Sequence, residues 1–252
     1  MRFFKIFFIA LCVFILTGTV VYADGGCSWY IVKRGNETPG FPPNAKEIAE
    51  YGAVYIDKTS ADNGEKKLYL TFDAGYENGN IEKILDVMRE ENVTGAFFIL
   101  SNIISKNADI VKRMADEGHL VCNHTSNHKD MTKLTDEEVL SNLSRLEEQY
   151  KSATGYEMEP IFRFPEGKYS VDRVKLLSDN GYKTVFWSMA YDDWDNSRQM
   201  DTSIAKQKLL STTHDGAIIL LHPTSSTNAA ILGDLIREWK ALGYTFGSLA
   251  DL

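Results

Sequence analysis

Leu120-Val121-Cys122-Asn123-His124-Thr125-Ser126-Asn127-His128 is the stretch from which the fold can be read. A short apolar run of strand character comes first, and two imidazoles four residues apart follow at once. The arrangement recurs along the chain. Asp73 follows the apolar run 68–72, Arg163 closes Ile161-Phe162, Asp192-Asp193-Trp194 follows 185–189, and His222 follows 218–221. Side chains able to do chemistry thus stand repeatedly just past apolar runs.

Strand-like runs fall at 68–72, 96–100, 120–123, 161–164, 184–189, 217–221 and 244–247, with helical patterns between them. Over 80–91, Ile81, Ile84, Leu85 and Met88 share one face, and over 109–117 Ile110, Val111 and Met114 do. Thr135 with Glu138 is a capping-box signal opening a long helix through Leu140, Leu143, Leu146 and Tyr150. Further helices at 172–180 and 228–242 stop at Gly181 and Gly243, and another spans 201–210. Short strands buried on both faces, alternating with amphipathic helices, point to an α/β fold with a parallel sheet. About seven strands in a chain of this length predict closure into a (β/α) barrel, in which reactive residues stand at the carboxyl ends of strands. An open doubly wound sheet is the competing architecture, but no glycine-rich phosphate turn follows the first strand.

Residues 24–66 are less regular. A short strand at 29–32, the turn-rich Pro39-Gly40-Phe41-Pro42-Pro43 and a short helix at 44–51 read as an arm packed on the barrel of residues 67–252. Ahead of the arm, Arg2 and Lys5 precede an apolar run at 7–16, and Val21-Tyr22-Ala23 is a small-residue cleavage pattern. Residues 1–23 are therefore a signal peptide or, the run being nearly long enough to span a bilayer, an uncleaved anchor. Either reading places the folded part outside the cytoplasm.

The chain has 252 residues, 44% hydrophobic and 25% charged, with a net charge of −8. That charge repels phosphates and excludes a nucleic-acid partner, though not a neutral polysaccharide. Of three cysteines, Cys12 lies in the leader, and whether Cys27 and Cys122 pair is left open. No cysteine cluster has metal-ligand spacing.

His124 and His128 can supply two neutral nitrogens to Zn²⁺ or a similar ion; chance spacing on a helix face is the alternative. Asp73 can be a metal ligand, a general base or a helix cap, and the cap reading is the weakest because the next helix starts near residues 78–80. Arg163 can orient a carboxylate, and its place between Phe162 and Phe164 makes a solvated surface role a poor fit. His222 can be a general acid with Asp193 on its other nitrogen. Trp194 is either an apolar wall beside them or core packing. His119 and His214 fall in helix-to-strand loops at the opposite barrel end and are assigned no chemistry.

These pieces, in this order, resemble the polysaccharide deacetylase family, the NodB homology domain of family 4 carbohydrate esterases. Its five motifs match Thr71-Phe72-Asp73-Ala74-Gly75, His124-Thr125-Ser126-Asn127-His128, Arg163-Phe164-Pro165-Glu166-Gly167, Asp193-Trp194 and Ile218-Ile219-Leu220-Leu221-His222. The resemblance implies a deformed (β/α) barrel that removes acetyl groups from N-acetylated sugars with a divalent metal, Zn with Co or Mn as alternatives, held by His124 and His128. It implies Asp73 as general base, Arg163 as its orienting partner, and His222, tuned by Asp193, as acid. The Glu166 backbone N–H would hold the oxyanion, and Trp194 and Leu220 would shape the acetyl pocket.

The family's second motif-one Asp, a metal ligand, is Ala74 here, which implies a weakly held ion. The stretch Asp73-Ala74-Gly75-Tyr76-Glu77-Asn78-Gly79 is similar to the spore-cortex δ-lactam-biosynthetic de-N-acetylases. That group acts on N-acetylmuramic acid in peptidoglycan glycan strands whose peptides an amidase has removed, and muramic δ-lactam follows. The likeness implies a monomer acting in the cell wall or between the forespore membranes. A chitooligosaccharide or N-acetylglucosamine deacetylase, and a weakened barrel that only binds glycan, are the alternatives.

Overall fold

The computed structural model describes residues 26–252, so the leader read at 1–23 lies outside the described residues. In chain order the elements are β1 (Cys27–Ser28), α1 (Ala45–Glu50), α2 (Lys58–Asn63), β2 (Lys67–Ala74), α3 (Ile81–Glu90), β3 (Ala96–Ile99), α4 (Ser101–Lys106), α5 (Ala108–Asp116) and β4 (Leu120–Asn123). There follow α6 (Asp136–Thr154), β5 (Glu159–Phe162), β6 (Lys168–Tyr169), α7 (Val171–Asp179), β7 (Lys183–Thr184), α8 (Thr202–Ser211), β8 (Ala217–Leu221), α9 (Ser226–Ala241) and β9 (Thr245–Phe246). Helix α6 opens with the capping box read from Thr135 and Glu138. Helices α2 and α4, six residues each, have no counterpart among the helical patterns read from the sequence.

Seven strands make a parallel sheet in the order β7-β5-β4-β3-β2-β8, with β9 beside β2. Side chains alternate across it with period two. On the outer face Leu68, Leu70, Phe72 and Ala74 join Phe97, Ile99, Val121, Ile219 and Leu221 against α3 and α9, in one core with Leu85, Met88, Leu235 and Trp239. The inner face carries Tyr69, Phe98, Cys122, Ile161 and Ile218. Continuing that parity to the carboxyl ends puts residues 73, 124, 163 and 222 all on the barrel-facing side.

The sheet does not close by a continuous ladder, and here the expected strand at 184–189 is corrected. After Val185, whose N–H donates to the Phe162 carbonyl (2.8 Å), the chain leaves β5 and crosses to β8. Ser188 and Met189 both donate to the Ile218 carbonyl (3.0 and 3.1 Å), and Leu220 donates to that of Met189 (2.8 Å). One short segment serves two strands in turn, so it cannot keep the single ladder that defines a strand. The seam it leaves is filled from the arm: Val54 donates to Thr184 O (2.9 Å), accepts from Phe186 N–H (2.8 Å), and Ile56 bridges Ala217. This is a deformed barrel, curled but stitched rather than zipped.

The arm also differs from its sequence reading at 29–32. The strand there is Cys27–Ser28, antiparallel to β6, and Val32 makes only an isolated bridge to Gly40. The cause is Trp29, which leaves the alternation to bury its indole. It stacks on Phe186 (ring centroids 4.5 Å apart), lies 5.0 Å from Tyr55 and 5.7 Å from Phe41, and donates Nε1–H to the Trp187 carbonyl (2.9 Å). With Ile48, Phe164, Tyr169 and Leu177 it forms a second apolar core between arm and barrel. Cys122 is a buried, reduced thiol of the inner face, so it does not pair with Cys27.

Trp29→Ala empties the centre of that second core. Urea unfolding is expected to show a loss of about 3 kcal/mol, and Trp29→Phe, which keeps the stacking, a loss of less than half as much.

Candidate active site

Register brings the reactive residues to one level. Phe72 pairs with Leu221 across β2 and β8, so Asp73 and His222 are the next residues on adjacent parallel strands. Strands in a sheet lie about 4.8 Å apart, which makes the two side chains neighbours. Likewise Asn123 pairs with Phe162, so His124 and Arg163 follow side by side. The ladder carries on past the strand ends, His124 N–H donating to Ile99 O and Arg163 N–H to Asn123 O (3.1 Å each).

Arg163 is fully buried. Its Nε donates to Val185 O (3.1 Å), Nη2 to Phe186 O (3.3 Å) and Nη1 to Asp73 Oδ1 (2.9 Å), while the guanidinium lies 4.0 Å from the Phe98 ring centroid. Carbonyls of the crossing segment thus fix two edges of the guanidinium, and the third meets the carboxylate. Burial pushes the Asp73 carboxyl up, but His124, Arg163 and His222 together hold it below the usual carboxylate range. Asp73 is therefore ionised at neutral pH.

The two histidines sit on a tight loop organised by asparagines. Asn123 Oδ1 accepts from Thr125 N–H (2.9 Å), Thr125 Oγ1 from His128 N–H (2.8 Å), and Asn142 Oδ1 on α6 from Ser126 N–H (2.7 Å). Thr125 and His128 have positive φ (75° and 57°), as does Glu166 (55°), and these are three of the four such non-glycine residues described. Backbone strain of this kind persists only where the surroundings enforce it, and it gathers at functional sites.

His124 Nδ1–H donates to the Arg163 carbonyl (2.9 Å), which leaves Nε2 as a bare lone pair 3.5 Å from Asp73 Oδ2. Burial lowers the His124 pKa to about 4, so the ring is neutral. A lone pair and a carboxylate oxygen facing each other in a buried site repel unless a cation or a proton donor lies between them. A ring held this way is the usual form of a metal-ligating imidazole, and the His128 ring is close, its centroid 5.1 Å from that of His124. The donor set is nevertheless thin: among the described residues no group of three or more His, Cys, Asp or Glu side chains is placed to hold a metal. Ala74, with outer parity, is buried in the apolar layer. What these residues offer an ion is two imidazole nitrogens, with no third side chain among the described residues placed to join them.

Across the cavity Asp193 is buried and accepts from His222 Nδ1 (2.7 Å), His222 N–H (2.8 Å) and Asn228 Nδ2 (2.6 Å). Burial pulls the His222 pKa down, but the hydrogen bond to Asp193 and its charge push it above the ordinary value. Asn228 was not singled out in sequence; in Ser225-Ser226-Thr227-Asn228 it reads only as the first turn of α9, and the signal that marks it is spatial. Asp73, His128, Glu166, Trp194, Leu220 and His222 all line one cavity of about 680 Å³. Trp194 is 62% exposed, so it is a wall of this cavity and not core. His214 lies elsewhere, buried, donating to Thr212 O (3.0 Å) and bonded to Ser188 Oγ (2.9 Å). His119 accepts from Gly95 N–H (3.2 Å), and neither ring lines this cavity.

Comparison with known proteins agrees with this geometry. The family model for polysaccharide deacetylases matches residues 60–185. The peptidoglycan-N-acetylmuramic acid deacetylase PdaA of Bacillus subtilis is 39% identical over 216 residues, which span 84% of this chain and 81% of that protein. The solved structure of PdaA, described as a family 4 carbohydrate esterase, superposes with a TM-score of 0.86 at 35% identity, covering 91% of this chain and 97% of that one. A family 4 carbohydrate esterase from Bacillus anthracis superposes with a TM-score of 0.73 at 34% identity, covering 91% and 96%.

Replacing Arg163 by Met removes the counterion of Asp73 and two backbone contacts. Stability should fall by about 3 kcal/mol in urea unfolding, and NMR titration should find the Asp73 carboxyl raised relative to wild type.

Proposed function

The chain belongs to the polysaccharide deacetylase family, and from that premise we propose that it removes the N-acetyl group from N-acetylmuramic acid in peptide-free peptidoglycan, on the way to the muramic δ-lactam of spore cortex. The observation that carries the reading is the pairing of an ionised carboxylate, Asp73, with a raised-pKa imidazole, His222, level on adjacent strands and facing one cavity. The motif stretch 73–79 and the likeness to a relative named for N-acetylmuramic acid support the choice of sugar.

Asp73 takes a proton from the attacking water, held in place by Arg163 so that its free oxygen faces the cavity. The backbone N–H of Glu166, at the strained turn of the third motif, donates to the oxygen that becomes negative as the acetamide carbon turns tetrahedral. His222, protonated and steadied by Asp193, gives its proton to the departing nitrogen, so an amine and not an amide anion leaves. Trp194 and Leu220 enclose the acetyl methyl. A divalent cation, Zn with Co or Mn as substitutes, would be held by His124 Nε2 and His128 and would polarise the acetamide carbonyl. The protein works outside the cytoplasm on glycan strands from which an amidase has already cut the peptides.

Asp73→Asn should lower acetate release from peptide-free peptidoglycan by at least about 10²-fold, with the unfolding midpoint lowered by loss of the buried ion pair but the protein still folded at the assay temperature; undiminished release from the folded variant would take Asp73 out of its role. Mass spectrometry of the glycan reports loss of acetyl, and any further loss of water reports ring closure. The acid role of His222 has a definite sign. Its ordinary pKa is 6.5 and the folded value is higher, so the donor proton is kept to higher pH than in a free imidazole and is lost as pH rises through the raised value. Asp193→Asn removes the charge that raises it, and the alkaline limb of kcat/KM should move to lower pH.

A further inference from the structure

The cavity is rich in carboxylates, yet its rim carries a cation that the reaction does not use. Asp73, Glu166 and Asp192 line it, and so does Lys33 of the arm. Arg163 is spent behind Asp73, and Glu166 is answered by Lys168 at 2.6 Å. Lys33 has no such partner: it is exposed and, among the described residues, enters no ion pair or hydrogen bond. The charges it feels are Lys208, which repels it, and Asp192, which attracts it.

It is also held in place. Val32 and Gly40 exchange both backbone hydrogen bonds (2.8 and 2.9 Å), and the turn between them is tied by Glu37 N–H to Arg34 O (3.2 Å) with Gly35 at φ +63°. Trp29, four residues earlier, anchors the strap to the Trp187 carbonyl, and Trp187 lines the same cavity. An ammonium kept unpaired on a tethered loop, at the edge of a cleft in a chain of net charge −8, is placed to receive an anion rather than to stabilise the fold.

We propose that Lys33 is a docking point for a carboxylate of the substrate, and, resting on the muramic-acid reading above, that this is the lactyl carboxylate on the sugar being deacetylated. That group sits on the carbon next to the one bearing the acetamide, so a sugar with its acetamide at Asp73 and His222 keeps its carboxylate within the same cavity. A stem peptide would convert the carboxylate to a neutral amide and move the nearest negative charge away. Lys33 thereby gives a physical reason for the glycan to be stripped of peptide before this enzyme acts, and it separates muramic acid from glucosamine, which has no carboxylate.

The test is equilibrium binding of three soluble oligosaccharides containing N-acetylmuramic acid: peptide-free with the lactyl acid, the same with its methyl ester, and one keeping its stem peptide. Wild type should bind the free acid about tenfold more tightly than the ester and more tightly than the peptide-bearing glycan. In Lys33→Gln the acid-to-ester ratio should fall to about one, and Lys33→Arg should restore it. An unchanged ratio in Lys33→Gln overturns the proposal, and peptide-bearing glycan bound as tightly as the free acid overturns the lactyl assignment. Acetate release is followed in parallel. Lys33-dependent discrimination without any acetate release would sink the deacetylase reading and leave the docking site standing; release without discrimination does the reverse.

Discussion

A single buried ion pair, Arg163 with Asp73, ties the fold to the chemistry. The guanidinium is out of reach of water, so its cost can be met only by a full set of partners: the carboxylate and the carbonyls of Val185 and Phe186. Those carbonyls belong to the segment that crosses from β5 to β8. The same contact therefore holds the sheet's seam, fixes the reactive carboxylate and keeps that carboxylate ionised. The Arg163 carbonyl then orients His124, so one residue sets both the base and one of the two imidazoles.

The incomplete barrel explains why the arm matters. A parallel sheet that closed on itself would need no outside strand, but here the edges of β7 and β8 are joined by backbone bonds from Val54 and Ile56. The apolar cluster around Trp29 holds the arm in that position, and the arm in turn brings Lys33 to the rim. Packing at the seam and composition of the substrate cleft are thus set by the same stretch of chain.

Much of the site could be read in advance because parallel strands obey simple parity. Residues just past the apolar runs at 68–72, 120–123, 161–162 and 217–221 share a face and an end, and the structure places Asp73, His124, Arg163 and His222 there. What escaped was contact between residues distant in sequence: Asn228 on Asp193, Asn142 on the histidine loop, and the crossing of 185–189 between two partners. A hydrogen bond from the first turn of a helix to a loop thirty-odd residues earlier leaves no local pattern.

The sequence alone determined the alternation of strand and helix and the standing of the reactive side chains at the carboxyl ends of strands, because each depends on spacing within a few residues; the family resemblance implied that Ala74 stands where a carboxylate is usual. Only the tertiary structure decided which nitrogen of His124 is bare, which way the His222 and Asp73 pKa values move, and that Lys33, unpaired among the described residues, lines the same cavity as Asp73 and His222. Charge states and hydrogen-bond partners are set by what lies across the cavity, and folding alone brings those groups within a few ångströms of one another.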